Sequence, residues 1–209
     1  MKDLLLNVAE EIMRQKDYLT KLDAACGDGD FGVGMYIGFK NAKTSIKHYE
    51  EGNIGSLLEK VGYAILSSVG GASGPLFGTI FVEVGKVAKG KSEINLQHLA
   101  TMFDMALQKV YQLGGTKVGD KTLVDALEPA VNVLKKASNE GLNLMEALKK
   151  ATEAAEKGAE ATKNLVARQG KARYLGEETL GHPDPGAVAI YLIFKAMLSA
   201  YQSCLSHKP

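Results

Sequence analysis

Residues 70–85 read Gly70-Gly-Ala-Ser73-Gly74-Pro75-Leu-Phe-Gly78-Thr-Ile-Phe-Val-Glu-Val-Gly85, and the fold class turns on the second half of that stretch. By propensity alone, 78–85 is a strand, because its β-branched and aromatic residues suit a pleated surface. Its neighbours decide otherwise. Leu57, Leu58, Val61, Ala64, Ile65 and Val69 precede it on one helical face, and residues 96–113 follow it with the same period. A segment between two such neighbours is predicted to be a buried helix that starts after Pro75.

The helical reading extends outward in both directions. Leu4, Leu5, Val8 and Ile12 open a first helix that continues to about residue 21. Further helices are expected over 32–49, 55–69, 76–90 and 96–113, after Thr122, and over 144–166 and 184–203. Pro129 falls in the early turns of the sixth, where a missing N–H is tolerated. Asp184 followed by Pro185 marks the start of the eighth as N-cap and first helical residue. Eight helices, no strand, no repeat and no low-complexity linker predict one all-α domain over residues 1–209, with antiparallel neighbours.

Composition narrows the function. The 25 basic and 24 acidic residues leave a net charge of +1, which excludes a nucleic-acid binder that works by blanket phosphate neutralisation. Two cysteines, Cys26 and Cys204, imply no disulfide framework and suit a reducing cytoplasm. The N-terminus turns polar too soon for a signal peptide, and no uninterrupted apolar run reaches the roughly 18 residues of a membrane span. A cytoplasmic protein without membrane contact is expected.

The chemistry is concentrated in four glycine-rich joints. They are Asp23-Ala-Ala-Cys-Gly-Asp28-Gly-Asp30-Phe-Gly32, Gly70-Gly-Ala-Ser73-Gly74-Pro75, Gly114-Gly-Thr-Lys-Val-Gly-Asp120-Lys-Thr122 and Gly181-His-Pro-Asp184-Pro-Gly186. They join helices 1–2, 3–4, 5–6 and 7–8, so an up-and-down bundle places all four at one end. Asp23, Asp28 and Asp30 repel one another unless a cation lies between them. Hard oxygen donors without His or sulfur suit Mg²⁺ or Ca²⁺; an Asx-rich turn capping the next helix is the competing structural reading. The Ser73 joint exposes backbone N–H groups at a helix start, which receive phosphate; a glycine C-cap followed by a serine N-cap is again the alternative. Leu76 and Leu123 would line an apolar slot for adenine. Together the joints point to a helical bundle that binds a Mg-nucleotide.

Several look-alikes fail. Gly27-x-Gly29-x-x-Gly32 spells the dinucleotide fingerprint but follows a helix, and carries two carboxylates where a pyrophosphate would lie. Asp30-Phe31-Gly32 spells a kinase motif without its catalytic loop. An EF-hand would need Gly at Val33 and Glu at Phe39. Residues 114–122 resemble a Walker A loop with Asp120 inserted and no strand before it. Ser73 has no His–Asp pattern for a triad, Cys26 reads as packing, His182 as a turn residue, and His48, His98 and His207 carry no motif.

The joints also carry a family resemblance. Leu22-Asp-Ala-Ala-Cys-Gly-Asp-Gly-Asp30, Gly70-Gly-Ala-Ser-Gly-Pro-Leu-Phe-Gly78, Gly119-Asp-Lys-Thr-Leu-Val-Asp-Ala-Leu127, Ala161-Thr-Lys-Asn-Leu-Val-Ala-Arg-Gln-Gly170, Tyr174-Leu-Gly-Glu and Gly181-His-Pro-Asp-Pro-Gly-Ala187 occur in family order across nearly the whole chain. The pattern resembles the nucleotide-binding L subunit of dihydroxyacetone kinases. That resemblance implies a closed barrel of eight antiparallel helices with Mg-ADP or Mg-ATP at one rim. It implies one or two Mg²⁺ on Asp23, Asp28 and Asp30, and phosphates met by Phe31, Gly32, Val33, Gly34, Ala72 and Ser73. Gly114, Leu123, Lys171 and the Asp184-Pro185-Gly186 turn would complete the nucleotide pocket. It implies a partner K subunit holding dihydroxyacetone on a histidine, and a phosphohistidine-carrying M subunit that recharges ADP; a homodimer is left open. Two positions depart from the family's usual residues: Phe31 replaces His and Lys171 replaces Arg. A nucleotide-sensing regulatory subunit is the reading from another class, and the nucleotide domain of fatty-acid kinases fits the later joints less well.

Overall fold

The computed structural model describes residues 1–50 and 52–206, and His207 lies outside them. Among the described residues there are nine α-helices and no strand. They are α1 (Lys2–Arg14), α2 (Lys16–Cys26), α3 (Phe31–Lys47), α4 (Ile54–Leu66), α5 (Ser73–Ala88), α6 (Leu96–Gly114), α7 (Val124–Asn139), α8 (Leu144–Ala161) and α9 (Pro185–Ser206). Residues 78–85 are helical, inside α5. Two 3-10 segments, Thr162–Asn164 and Ala172–Thr179, lie between α8 and α9.

The count of eight is corrected to nine because the first expected helix is broken at Gln15. Gln15 leaves the helical well (φ −87°, ψ 9°), yet its N–H still reaches Glu11 O and its carbonyl accepts from Leu19 N–H. The chain therefore turns without leaving the bundle wall. α5 begins at Ser73, before Pro75, since proline costs nothing in a first turn whose N–H groups have no intrahelical acceptor. α8 ends at Ala161 and not at 166, because the carbonyls of Thr162 and Leu165 turn to a lysine.

Packing follows chain order: α1 on α3, then each helix on the next through α9, which returns to α1, while α2 fills the corner between α3 and α9. The helices thus close on themselves around a continuous apolar core that includes Ile12, Met35, Phe39, Ile65, Phe77, Leu127, Leu134 and Phe194. α9 is long and apolar enough to cross a membrane by length and composition, which Lys195 hides from a search for uninterrupted runs. Its Ala187, Ile190, Leu192, Ile193 and Phe194 are buried, and it packs on α1, α7 and α8.

The tightest seam joins α4 and α5. A Cβ on Gly55 would stand 2.6 Å from Gly85 O, and one on Gly62 2.7 Å from Gly78 O; the reverse pairings are equally close. Only glycine allows backbones that near. The two pairs repeat every seven residues on antiparallel helices.

Ends differ in chemistry. α4, α6 and α8 start at the end opposite the four joints, and Asn53, Asn95 and Asn143 cap them, accepting from the N–H of Ser56, His98 and Glu146 at 3.1, 2.9 and 2.9 Å. α5 starts among the joints and has no side-chain cap. At the capped end an apolar cavity of about 820 Å³ opens between the start of α1, the start of α6 and the end of α9.

Candidate functional site

All four glycine joints line one cavity of about 460 Å³. The first contributes Asp23, Cys26, Gly27, Asp28, Asp30 and Phe31, the second Gly70–Phe77 except Gly74, the third Leu113, Gly114, Thr116 and Lys121–Leu123, and the fourth Pro183–Gly186, while Gln169–Ala172 join them from the chain between α8 and α9.

The carboxylates of Asp23, Asp28 and Asp30 converge, with one oxygen of each inside 4.8 Å of the others. The tight turn behind them depends on Gly27 and Gly29. A Cβ on Gly27 would strike Asp23 Oδ1 at 2.5 Å, and Gly29 takes φ +73°. Asp23 Oδ2 accepts from Phe31 N–H at 3.1 Å, tying the carboxylate to the first turn of α3. Burial, and then the charges of Asp28 and Asp30, push the Asp23 carboxyl above its ordinary value. Lys171 bridges the other two: its ammonium is hydrogen-bonded to Asp28 and lies 3.5 Å from Asp30 Oδ2. That bond holds Asp28 below the usual carboxylate range and Lys171 above the usual lysine range. The donor set fits a hard divalent cation: three carboxylates within reach of one point, two of them already gathered around a positive charge.

The start of α5 lines the same cavity as the carboxylates. Ala72 is its N-cap and Ser73 its first residue, and Gly74 lets the chain pass Val69 O, which a Cβ would approach to 2.1 Å. An uncapped helix start presents N–H groups and the positive end of the helix dipole to the cavity. Leu76 and Leu123 line the apolar side with Gly114, whose missing side chain leaves room for Leu76.

Of the residues expected at the site, Asp23, Asp28, Asp30, Phe31, Ala72, Ser73, Gly114, Leu123, Lys171, Asp184, Pro185 and Gly186 line this cavity. Gly32, Val33 and Gly34 do not. Gly32 is spent on packing, since a Cβ there would meet Lys16 O and Thr20 Oγ1 at 2.3 Å; Gly34 faces Val69; Val33 is exposed on α3. The Phe31 ring is buried, edge-on to Phe77, and only its N–H serves the carboxylates.

Asp184 caps α9, accepting from Ala187 N–H at 2.7 Å. Burial pushes its carboxyl up to about 7, helped by Asp125 and opposed by the Ala187 bond and Lys121. Cys26 is buried, and burial more than the neighbouring carboxylates raises its thiol.

The sequence reading missed Lys121. It was read as the lysine of a failed Walker loop, yet it points inward. Asp125 shapes its joint by accepting from Gly119 N–H at 2.6 Å and Thr122 N–H at 2.7 Å. Nothing in a single sequence distinguishes a lysine aimed at phosphate from one aimed at backbone.

Most of the chain is similar to known proteins. The DAK2 domain family matches residues 25–199. The ADP-binding subunit DhaL of the PEP-dependent dihydroxyacetone kinase of Escherichia coli (strain K12) is 37% identical over 186 residues, 89% of each chain. The corresponding subunit of dihydroxyacetone kinase 2 of Listeria innocua is 35% identical over 197 residues, 93% of this chain and 91% of that one. The dihydroxyacetone kinase of C. freundii in complex with AMP-PNP and Mg²⁺ superposes with a TM-score of 0.72 at 26% identity, over 95% of this chain and 33% of that longer one. The family match opens inside the first joint, just after Asp23, and spans the other three joints and the helices between them; the chain therefore belongs to the DAK2 domain family, among its dihydroxyacetone kinase DhaL subunits.

Proposed function

We propose that residues 1–209 form the nucleotide-carrying subunit of a multi-component dihydroxyacetone kinase, a cytoplasmic phosphotransferase part that holds ADP or ATP at the joint end of the bundle. The observation that carries this reading is that the three-carboxylate cluster and the uncapped start of α5 line one cavity. A cation and an anion are thereby invited to the same place, which is what a metal-bound di- or triphosphate requires. The names of the relatives, ADP-binding and PEP-dependent, support the same ligand and a donor other than free ATP.

Asp23, Asp28 and Asp30 would hold one or two Mg²⁺, which when bound neutralises phosphate charge and draws electrons from the transferring group. This chain's own residues do the rest. The Phe31 N–H fixes the Asp23 carboxylate, and Ala72 and Ser73 offer N–H groups to phosphate oxygens. Lys171 adds a point charge beside Asp28. Leu76, Gly114 and Leu123 enclose the base, and the Asp184-Pro185-Gly186 turn closes the far side. Among the described residues no side chain is placed as a nucleophile. The phosphoryl acceptor is a short keto-sugar on a partner K subunit, and a phosphohistidine M subunit returns phosphate to ADP.

Native mass spectrometry tests this directly. Protein isolated with Mg²⁺ should carry ADP, and incubation with a phosphohistidine M subunit should convert it to ATP on the same chain. A chain that retains no nucleotide in Mg²⁺, or that becomes covalently phosphorylated, overturns the reading.

A further inference from the structure

Lys121 is the only buried lysine among the described residues. It sits at φ +60° in the left-handed region, which disfavours any residue with a Cβ. Its ammonium donates to four backbone carbonyls: Thr162 at 2.8 Å, Leu165 at 3.1 Å, Thr179 at 2.8 Å and His182 at 2.6 Å. Three protons serve four oxygens, so one bond is shared. No carboxylate lies within hydrogen-bonding distance of it; Asp125 and Asp184 act on it only through space.

All four carbonyls belong to one piece of chain, the crossover from α8 to α9. That crossover contains no α-helix. It carries Gln169, Gly170, Lys171 and Ala172 to the cavity, and then Pro183 and Asp184. Beyond its local turns, the crossover is tied to itself by Ala167 N–H to Thr179 Oγ1 at 3.0 Å, Gly181 N–H to Lys163 O at 2.8 Å and Asp184 N–H to Thr162 Oγ1 at 2.8 Å. Arg168 N–H to Asp120 O, at 3.1 Å, adds a second tie to the joint before α7. Removing the ammonium would leave four carbonyls, two buried and two partly buried, turned toward one point with nothing between them, a costly arrangement.

We propose that Lys121 is a positioning residue for the cavity: its ammonium gathers the 162–182 crossover onto the joint before α7 and so sets the places of Lys171 and the Asp184 turn. This rests on the reading of the cavity as a nucleotide site. Four carbonyls around one positive charge form a cage of the kind that replaces the hydration shell of potassium or ammonium. A truncated side chain should therefore be replaceable by such an ion.

The test uses the full chain as Lys121→Met and Lys121→Ala. Hydrogen exchange without ligand should show faster exchange at the amides of Ala167, Gly181 and Asp184 in Lys121→Met, with amides in α4 and α5 still protected. ADP affinity in Mg²⁺ should fall about tenfold or more. In Lys121→Ala, ammonium chloride should restore both, and sodium chloride neither. Unchanged crossover protection, protection lost equally in α4 and α5, or equal effects of ammonium and sodium overturns the proposal. If the unaltered protein binds no ADP, the nucleotide reading fails instead, and the exchange pattern still judges the lysine.

Discussion

Phe31 and Phe77 meet edge to face, with ring centroids 6.0 Å apart and 62° between their planes. The contact joins the first residue of α3 to the first turns of α5, beneath the carboxylates on one side and the uncapped helix start on the other. A residue placed by its motif beside phosphate is therefore anchored in apolar packing, and its backbone does the polar work.

Truncating that ring should loosen the floor of the cavity. Phe31→Ala is expected to destabilise the fold by about 3 kcal/mol and Phe31→Leu by about 1 kcal/mol, measured by urea unfolding. The backbone N–H to Asp23 survives both changes. Equal stability of Phe31→Ala and the parent would show that the ring is not buried in solution.

Metal and nucleotide should stabilise the protein jointly. At a hundredfold excess over Kd, a ligand that binds only the native state adds about 2.7 kcal/mol. Mg²⁺ with ADP should raise the melting temperature more than either alone, and EDTA should remove the gain. Asp28→Ala and Asp30→Ala should abolish it. Identical melting curves in all these conditions would remove the carboxylate cluster from consideration as a metal site.

Lys171 occupies the position between Asp28 and Asp30 that a cation would share. Lys171→Met should therefore tighten Mg²⁺ binding in the absence of nucleotide. The same change should weaken ADP binding in Mg²⁺, since a positive charge near the phosphates is lost. Titration calorimetry reads both; two unchanged affinities would make the ion pair a bystander.

Asp184 gives the free protein a pH dependence of unusual sign. Its carboxyl is raised from 3.8 to about 7 in the folded chain. Between those values the native state holds a proton that the unfolded chain releases. Stability is then lost as pH rises through this window, and the contribution is flat above it. Asp184→Asn, which keeps the acceptor for Ala187 N–H, should flatten the fall in melting temperature from about pH 4 to about pH 7. The same slope in both proteins would assign the effect elsewhere.

Much of the architecture was legible because helical periodicity and glycine joints alternate so regularly. Residues 78–85 were correctly placed in a helix by their neighbours, against their own propensity. The break at Gln15 was not legible, since Met13, Arg14, Gln15 and Lys16 are all good helix formers and the turn is imposed by packing. The 3-10 segment at 172–179 was missed because it is held by tertiary bonds, Thr179 and Lys121 foremost. At the site, the gathering of Asp23, Asp28, Asp30 and Ser73 in one cavity was legible from the placement of their joints at one end of the bundle. Gly32 was not separable from them: a glycine needed for backbone packing and one needed for a ligand look the same in sequence.

The paired glycines of α4 and α5 act as a gauge. Screwing α4 along α5 by a single residue, a rise of 1.5 Å with a turn of about 100°, would bring Ser56 or Tyr63 where only a hydrogen atom fits. The level at which α5 ends is thereby set to less than one residue's rise, from contacts made along most of its length. The height of Ser73 above the cavity floor is thus dictated by glycines up to twelve positions further along the same helix, at Gly85. Tolerances at the ligand end are held by a part of the molecule that no ligand touches.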